Sequence, residues 1–545
     1  MPRVPPADPP DRTWWRDGVL YQVYPRSFAD SNGDGVGDLR GIVEHLDHLA
    51  WLGVDGVWIT PVTVSPDDDW GYDVADYTSV QPALGTLDDL DELLEEAARH
   101  DIRVILDLVP NHTSVRHPWF LDARSSRTSR HRDWYVWADP GPDGSPPNNW
   151  LGSFGGSAWT LDEETGQYYL HNFLPSQADL NWWNEEVREE FDRILRFWFD
   201  RGVAGFRIDV CHMIVKDREL RDNPPTDEAD HWFEQLRGQR QLFNAGRPEV
   251  HDVLRRWRAI ADSYDPPRVL LGETHVFDPR LLASFYGRGD ELNLAFNFLF
   301  MHAPFGADGL AEAVQTTEAS LPPGAWPLWA AGDHDYPRFP TRWCGGDPDR
   351  ARAVLVLLLT LRGTPILYYG DELGLPDTDV PRERLRDPVS IALYPVFGRD
   401  PARTPMPWRP GPGAGFTDPG VEPWLPLGDR AAGTVEDQRD DPSSTLHLCR
   451  DLIRLRAEVP DLRREDYEPL PSPTGVWAYR RGPRVIVAAN LGDEPAAVDG
   501  VSGTVRIATR RDRDGTRVRG RLELGPSDAV VLEAEPEGTR RRAEP

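Results

Sequence analysis

The chain has 545 residues, more than one compact core usually holds, and predicts two to four domains. Its 60 basic residues against 90 acidic ones leave a formal charge of −30, which repels phosphate backbones and anionic membranes and argues against nucleic acid or a lipid surface as partner. Cys211, Cys344 and Cys449 make neither a metal pattern nor a disulfide framework, and residues 1–11 lack the apolar core of a signal peptide, so a cytoplasmic protein is expected.

Strands and helices alternate from the start. Residues 19–24 read as a strand, and Leu39, Ile42, Leu46 and Leu49 recur at helical spacing until Gly53. A second strand is predicted over 56–59, then a helix capped by Thr86 with Asp89 three residues on and Leu90, Leu93, Leu94 and Ala97 on one face. The third strand covers 103–108. From 113 to 183 the rhythm fails, and the stretch 140–147 is rich in Gly and Pro. So long an excursion predicts a small inserted domain, with Gly166 in a hairpin.

The rhythm returns with Val187, Phe191, Ile194, Leu195 and Trp198 on one helix, stopped by Gly202 ahead of a strand over 203–208. Further strands fit 269–272, 292–297, 326–331 and 365–369. Eight strands alternating with helices predict an α/β fold, a parallel (β/α)8 barrel over 1–112 and 184–461, interrupted by the insert 113–183. Short alternating runs past 462 predict a C-terminal antiparallel β-sandwich domain to residue 545, with a charged, frayed end after 536.

Acids cluster where predicted strands end. Asp107 to His112, Phe206-Arg207-Ile208-Asp209, Gly272-Glu273-Thr274 and Asp333-His334-Asp335 each follow a short apolar run. Singly, such an acid is more often a helix cap than a catalyst. Several at the C-terminal ends of successive barrel strands converge on one pocket.

With Gly71-Tyr72-Asp73 and the stretch from Gly398 through Arg403 to Trp408, these motifs resemble the α-amylase (glycoside hydrolase 13) family, in its α-glucosidase and oligo-1,6-glucosidase branch, over nearly the whole chain. The resemblance implies Asp209 as nucleophile, Glu273 as general acid and base, and Asp335 as a third acid supporting the oxocarbenium-like transition state. It makes His112 and His334 hydroxyl donors, Tyr72 a stacking platform, and Asp73 with Arg403 a grip on the non-reducing end. Retaining hydrolysis needs such a carboxylate pair. Arg207, two residues before Asp209 on the same strand face, is expected to keep that acid ionised. Burial after the apolar run 269–271 is expected to raise Glu273 toward its working range.

Asp30, Asn32, Asp34, the carbonyl of Val36 and Asp38 follow the spacing of an EF-hand loop, with Gly41 where a twelfth-position Glu would stand. The loop resembles the calcium or magnesium loop of oligo-1,6-glucosidases, and a structural Ca2+ or Mg2+ ion is expected, with no organic cofactor. Two departures from the family pattern are Asp333 in place of Asn and Ala178 in place of Pro. A second carboxylate beside Asp335 is expected to raise either acid. Cys211 reads as a packed side chain.

The resulting expectation is a retaining, exo-acting α-glucosidase that takes short α-1,4- or α-1,6-linked oligosaccharides or disaccharides through a covalent β-glucosyl-aspartate. Two alternatives are a transglycosylating relative of the trehalose synthase or sucrose isomerase type and, more remotely, an inactive barrel serving as an interaction partner. The latter would have no use for the intact acids.

Overall fold

In the computed structural model, which describes residues 10–428 and 432–534, eight short strands run parallel in one sheet. The Pro-rich start and the charged end of the chain lie outside the described residues. The strands are β1 (Leu20–Val23), β2 (Gly56–Ile59), β3 (Arg103–Leu108), β4 (Gly205–Ile208), β5 (Val269–Gly272), β6 (Leu294–Ala295), β7 (Leu328–Ala330) and β8 (Thr364–Tyr368). They bond in the order β6-β5-β4-β3-β2-β1-β8-β7, so β1 lies between β2 and β8 as closure of a barrel requires.

Side-chain alternation along the strands separates lumen from wall. Leu20, Trp58, Ile105, Leu271, Leu294, Leu328 and Ile366 form one buried cluster. Their chain neighbours Tyr21, Val57, Leu106, Leu270, Ala295, Trp329 and Leu367 belong to the larger core beneath the helices. The first set fills the lumen and the second packs outward, the period-two pattern of a barrel. Register extends it: Arg207 stands opposite Asp107 on β3 and Leu271 on β5, so Asp107 and Arg207 also point inward.

Most predicted helices form where their apolar faces demand. Thr86 closes a capping box with Asp89 ahead of the helix Leu87–Arg99. On Glu185–Asp200, Val187, Phe191, Ile194, Leu195 and Trp198 are all buried. The predicted helix ending at Gly53 splits into Leu39–Val43 and Leu46–Leu52, where the His45 ring Nδ1 donates to the Gly41 carbonyl at 2.8 Å. β6 is shorter than predicted, because the Asn293 side chain accepts the Leu270 N–H and Asn297 caps the next helix.

The excursion after β3 is a folded unit. His112–Ser114 pairs antiparallel with Gln177–Asp179 at its neck. Beyond lie the helix Pro118–Ser125 and a three-stranded sheet whose hairpin, Trp159–Asp162 with Gln167–Leu170, turns at Gly166.

At the C-terminal end six strands make one antiparallel sheet: β9 (Glu468–Pro469), β10 (Val476–Arg481), β11 (Val485–Asn490), β12 (Ala496–Ala508), β13 (Arg517–Leu524) and β14 (Ala529–Ala534), in the order β9-β10-β11-β14-β12-β13. Trp477, Tyr479, Val487 and Val531 face the main core, and the Tyr479 hydroxyl meets Thr360 at 2.7 Å. The alternate residues Val476, Ala478, Ile486, Val530 and Leu532 build a separate core with Val505 and Leu522. One continuous sheet thus supplies both apolar faces of the expected sandwich, with two bulges in β12 to bend it.

Candidate active site

Strand alternation carries four functional groups to one place. Asp107 and Arg207 end the lumen-facing rows of β3 and β4, and Asp209 and Glu273 are the next inward positions beyond β4 and β5. The backbone continues the ladder there: Asp209 N–H donates to the Leu108 carbonyl (2.8 Å) and Glu273 N–H to that of Ile208 (2.9 Å). The buried Arg207 guanidinium donates to Asp209 (2.7 Å) and Asp107 (3.0 Å) through one nitrogen and contacts Glu273 (2.8 Å) through the other. Asp209 and Glu273 therefore lie within the span of a single guanidinium.

Val210 holds a left-handed backbone, φ 35°, unfavourable for a β-branched residue. The turn aims its N–H at Glu273 Oε2, 2.8 Å away. Strain next to Asp209 thus fixes the carboxylate across from it.

Three carboxylates surround one cation, and burial dominates their titration. It pushes Asp107 up to about 7, against the pull of Arg207. Asp209 rises well above the usual carboxylate range, with Glu273 and Asp107 adding to burial and Arg207 opposing. Glu273 is likewise raised by burial. The expectation that Arg207 keeps Asp209 low in the free protein is thus corrected: the guanidinium acts in that direction, but desolvation and two like charges outweigh it. All three acids that touch Arg207 are thus raised, and they titrate together rather than singly.

Asp335 behaves oppositely. His334, Arg399 and Arg403 hold it well below its ordinary value despite burial. Arg403 donates to it at 2.8 Å and Arg399 at 3.2 Å. Asp333, whose Oδ1 accepts the Asp335 N–H at 2.8 Å, is the one pushed up, to about 7, by burial and by Asp335. Of the two acids, only Asp333 is raised.

Tyr72 and the two histidines form a relay. Gln22 donates to His334 Nδ1 (2.8 Å), His334 Nε2 meets the Tyr72 hydroxyl (2.6 Å), and that hydroxyl donates to Asp107 (3.0 Å). The Tyr72 ring stacks on His334 with 5.4 Å between centroids. His112 Nε2 lies 3.0 Å from the Tyr72 carbonyl and 3.1 Å from Gln177, and its Nδ1 is 3.0 Å from Asn111. Every ring nitrogen of both histidines has a protein partner, which fixes the two rings beside Tyr72.

Asp73 and Arg403, expected together to grip a non-reducing end, hold different partners, Arg403 donating to Asp335 at 2.8 Å. Asp73 is fully buried, taking the Ser65 hydroxyl (2.6 Å) and the backbone N–H groups of Asp68 and Asp69 (3.0 Å each). Between them the chain turns at Gly71, φ 106°, so Asp69 rather than Asp73 reaches the pocket. Asp69 pairs with Arg399 at 2.6 Å, and Arg399 also binds Asp387 through its Nε at 2.9 Å. Sequence reasoning missed Asp69, Arg399 and Asp387. The available signal was Arg399, one turn before Arg403 in the same motif.

The predicted metal loop is tightly wrapped. Asp30 accepts the N–H groups of Gly33 (2.7 Å) and Gly35 (2.8 Å), Asp34 that of Val36 (2.8 Å), and Asp38 those of Ser31 (3.1 Å) and Gly41 (2.7 Å). A Cβ on Gly41 would lie 2.0 Å from the Ala29 carbonyl oxygen, so a twelfth-position Glu cannot fit. Carboxylate and amide oxygens are the donor type that Ca2+ or Mg2+ takes, but Asp30, Asp34 and Asp38 do not bring their oxygens within 4.8 Å of one another in this wrapping. Cys211, Cys344 and Cys449 are all buried, free thiols.

Residues 22–465 match the alpha amylase catalytic domain model. The chain is 42% identical over 510 residues to a probable alpha-glucosidase of Rhizobium meliloti (strain 1021), covering 89% of this chain and 91% of that one. It is 37% identical to the oligo-1,6-glucosidase of Heyndrickxia coagulans, covering 89% and 93%. Among solved structures, the alpha-glucosyl transfer enzyme XgtA superposes with a TM-score of 0.88 at 41% identity, covering 96% and 99%, and the isomaltulose synthase SmuA from Protaminobacter rubrum with 0.87 at 30%, also covering 96% and 99%. A barrel with this acid cluster at its strand ends, matched over most of its length, belongs to the α-amylase family.

Proposed function

We propose that the protein is a retaining, exo-acting α-glucosidase for short α-1,4- or α-1,6-linked glucosides. The observation that carries the reading is the Arg207 guanidinium bridging Asp209 and Glu273 at the ends of adjacent strands. Asp209 attacks the anomeric carbon while Glu273 protonates the leaving oxygen. Glu273 then takes a proton from the water that releases glucose from the aspartyl ester. Asp335, held ionised by Arg399 and Arg403, stabilises positive charge as it develops on the ring.

Exo action is supported by the wall behind the site. Asp69, Arg399, Asp387, Asp335 and Arg403 form a continuous ion-pair network on that side. A pocket closed there admits a chain end and not a chain middle. The relatives named oligo-1,6-glucosidase and alpha-glucosidase favour hydrolysis. A transglycosylating reading is favoured by the aromatic side chains near the leaving-group position, where Phe233 lies 5.0 Å from His275. Such walls disfavour water.

In this reading Asp30, Asn32, Asp34, the Val36 carbonyl and Asp38 hold a structural Ca2+ or Mg2+ that ties down the loop after β1. The strongly acidic surface and absent disulfides accord with a cytoplasmic enzyme that binds no nucleic acid. No helix among the described residues is long and apolar enough to cross a membrane. The test is a product time course on maltose, isomaltose, sucrose and trehalose. Glucose release from at least one, lost in Asp209→Asn, is expected; turnover persisting in that variant would refute the assignment of the nucleophile.

A further inference from the structure

The acid cluster has two flanks, and they carry different charge. One is the Asp69–Arg399–Asp335 network. On the other side, the helix Trp232–Arg237 overhangs the acid Glu273. Its position follows from ring contacts: Phe233 lies 5.0 Å from His275 and 6.4 Å from Tyr336. His275 is two residues past Glu273, Tyr336 follows Asp335, and the two side chains bond to each other at 2.7 Å. Phe233 therefore covers the seam between the loops after β5 and β7, where a leaving group departs from Glu273.

One helical turn on, Arg237 stacks its guanidinium over Phe233 at 5.0 Å. Its one hydrogen-bonded side-chain partner among the described residues is Gln241, at 2.6 Å. It forms no ion pair there, although Arg240 on the same loop engages both Asp227 and Asp230. Glu234, the nearest acid on its own helix, makes no ion pair with it. The groups that share its field are Tyr336, Glu234, His212, His275 and His302. Burial holds all three histidines below their ordinary range, which leaves them neutral.

A guanidinium surrounded by protein yet without a carboxylate is costly, because desolvation disfavours its charge. It is nevertheless reachable, since Arg237 is only half-buried. The chain thus places a cation with unused donors on the leaving-group side of a strongly acidic pocket. Such a cation complements a ligand oxyanion and draws it in by charge-assisted, bidentate bonding.

We propose that Arg237 is a specificity-determining residue that selects α-glucosides whose aglycone carries an oxyanion, a carboxylate or a phosphate. The inference rests on the α-glucosidase reading above, and its test separates the two. Wild-type protein is assayed on 4-carboxyphenyl α-glucoside and its neutral isostere 4-carbamoylphenyl α-glucoside, whose leaving groups are chemically alike. The phosphate arm compares trehalose 6-phosphate with trehalose.

At low ionic strength the anionic member of at least one pair is expected to have a kcat/KM at least about tenfold higher. In Arg237→Met that ratio falls about tenfold, mainly through KM, and Arg237→Lys restores part of it. Circular dichroism of both variants establishes that they are folded. Equal or greater kcat/KM for the neutral member of both pairs, or a ratio unchanged in Arg237→Met, overturns the proposal while leaving the glucosidase reading intact. Failure of the wild type to cleave any glucoside defeats that reading instead. Preference confined to the carboxylate pair or to the phosphate pair tells which oxyanion is taken, and either supports the role of Arg237.

Discussion

Lys216, the only lysine in the chain, offers a quantitative test of how the inserted unit is fixed to the barrel. Its ammonium lies 2.8 Å from Asp179 at the neck of the insert, 2.5 Å from Asn111 after β3 and 3.2 Å from the Ile214 carbonyl. Asp179 has no exposure to solvent. Its carboxylate also accepts two bonds from Asn172, at 2.9 and 2.6 Å, but Lys216 is its only cation among the described residues. Replacing Lys216 by Met strands that carboxylate, and removing one partner of a buried pair costs about 3–5 kcal/mol.

For 545 residues at about 2.1 cal/mol/K each, unfolding entropy is near 1.1 kcal/mol/K, so Tm should fall by about 3–5 °C. Adding Asp179→Asn neutralises the stranded group and should recover more than half of the loss. Differential scanning calorimetry of the three variants reads this directly. A Tm for Lys216→Met within about 1 °C of wild type, or a double variant as unstable as the sum of the two singles, would refute the reasoning.

Asp333 makes a pH prediction. Its folded value of about 7 lies above the unfolded value of about 3.9, so the folded protein holds the extra proton and loses stability as pH rises through that window. Asp333→Asn keeps an oxygen for the Asp335 N–H and should be more stable than wild type at pH 8, on the order of a few kcal/mol, the gain vanishing near pH 4. No gain at pH 8 contradicts the argument. Chelator-treated protein should bind one Ca2+ or Mg2+ by calorimetry and gain Tm on doing so, and Asp34→Ala should abolish both effects; if neither ion binds, the loop holds none. Arg399→Ala should breach the closed end, lowering kcat/KM on maltose about tenfold or more and yielding maltose besides glucose from maltotetraose. Glucose alone, at the wild-type rate, would count against the wall.

The barrel was legible because its signal is local. Each strand is a short, largely apolar run, and alternation alone puts Asp107, Arg207, Asp209 and Glu273 on the lumen side. Thr86 and Asp89 likewise announced their helix. The closed wall was not legible, since Asp67, Asp68, Asp69 and Asp73 look alike in sequence, and the left-handed turns at Asp67, Trp70 and Gly71 decide which one reaches Arg399. Nor did any periodicity mark the loop after β4, so Arg237 went unnoticed; its significance lies in the carboxylate it lacks, a property of three dimensions. The titration of Asp209 was misjudged for the same reason: sequence gave it one cationic neighbour, and the fold adds two anionic ones and removes water.

The central claim is that Asp209 and Glu273 act on opposite sides of one glycosidic bond with a covalent intermediate between them. The most direct test is anomer-resolved proton NMR during the first minutes of maltose hydrolysis, before mutarotation mixes the products. The non-reducing glucose should appear as the α-anomer. Its appearance as β-glucose would mean a single inversion and would contradict the account.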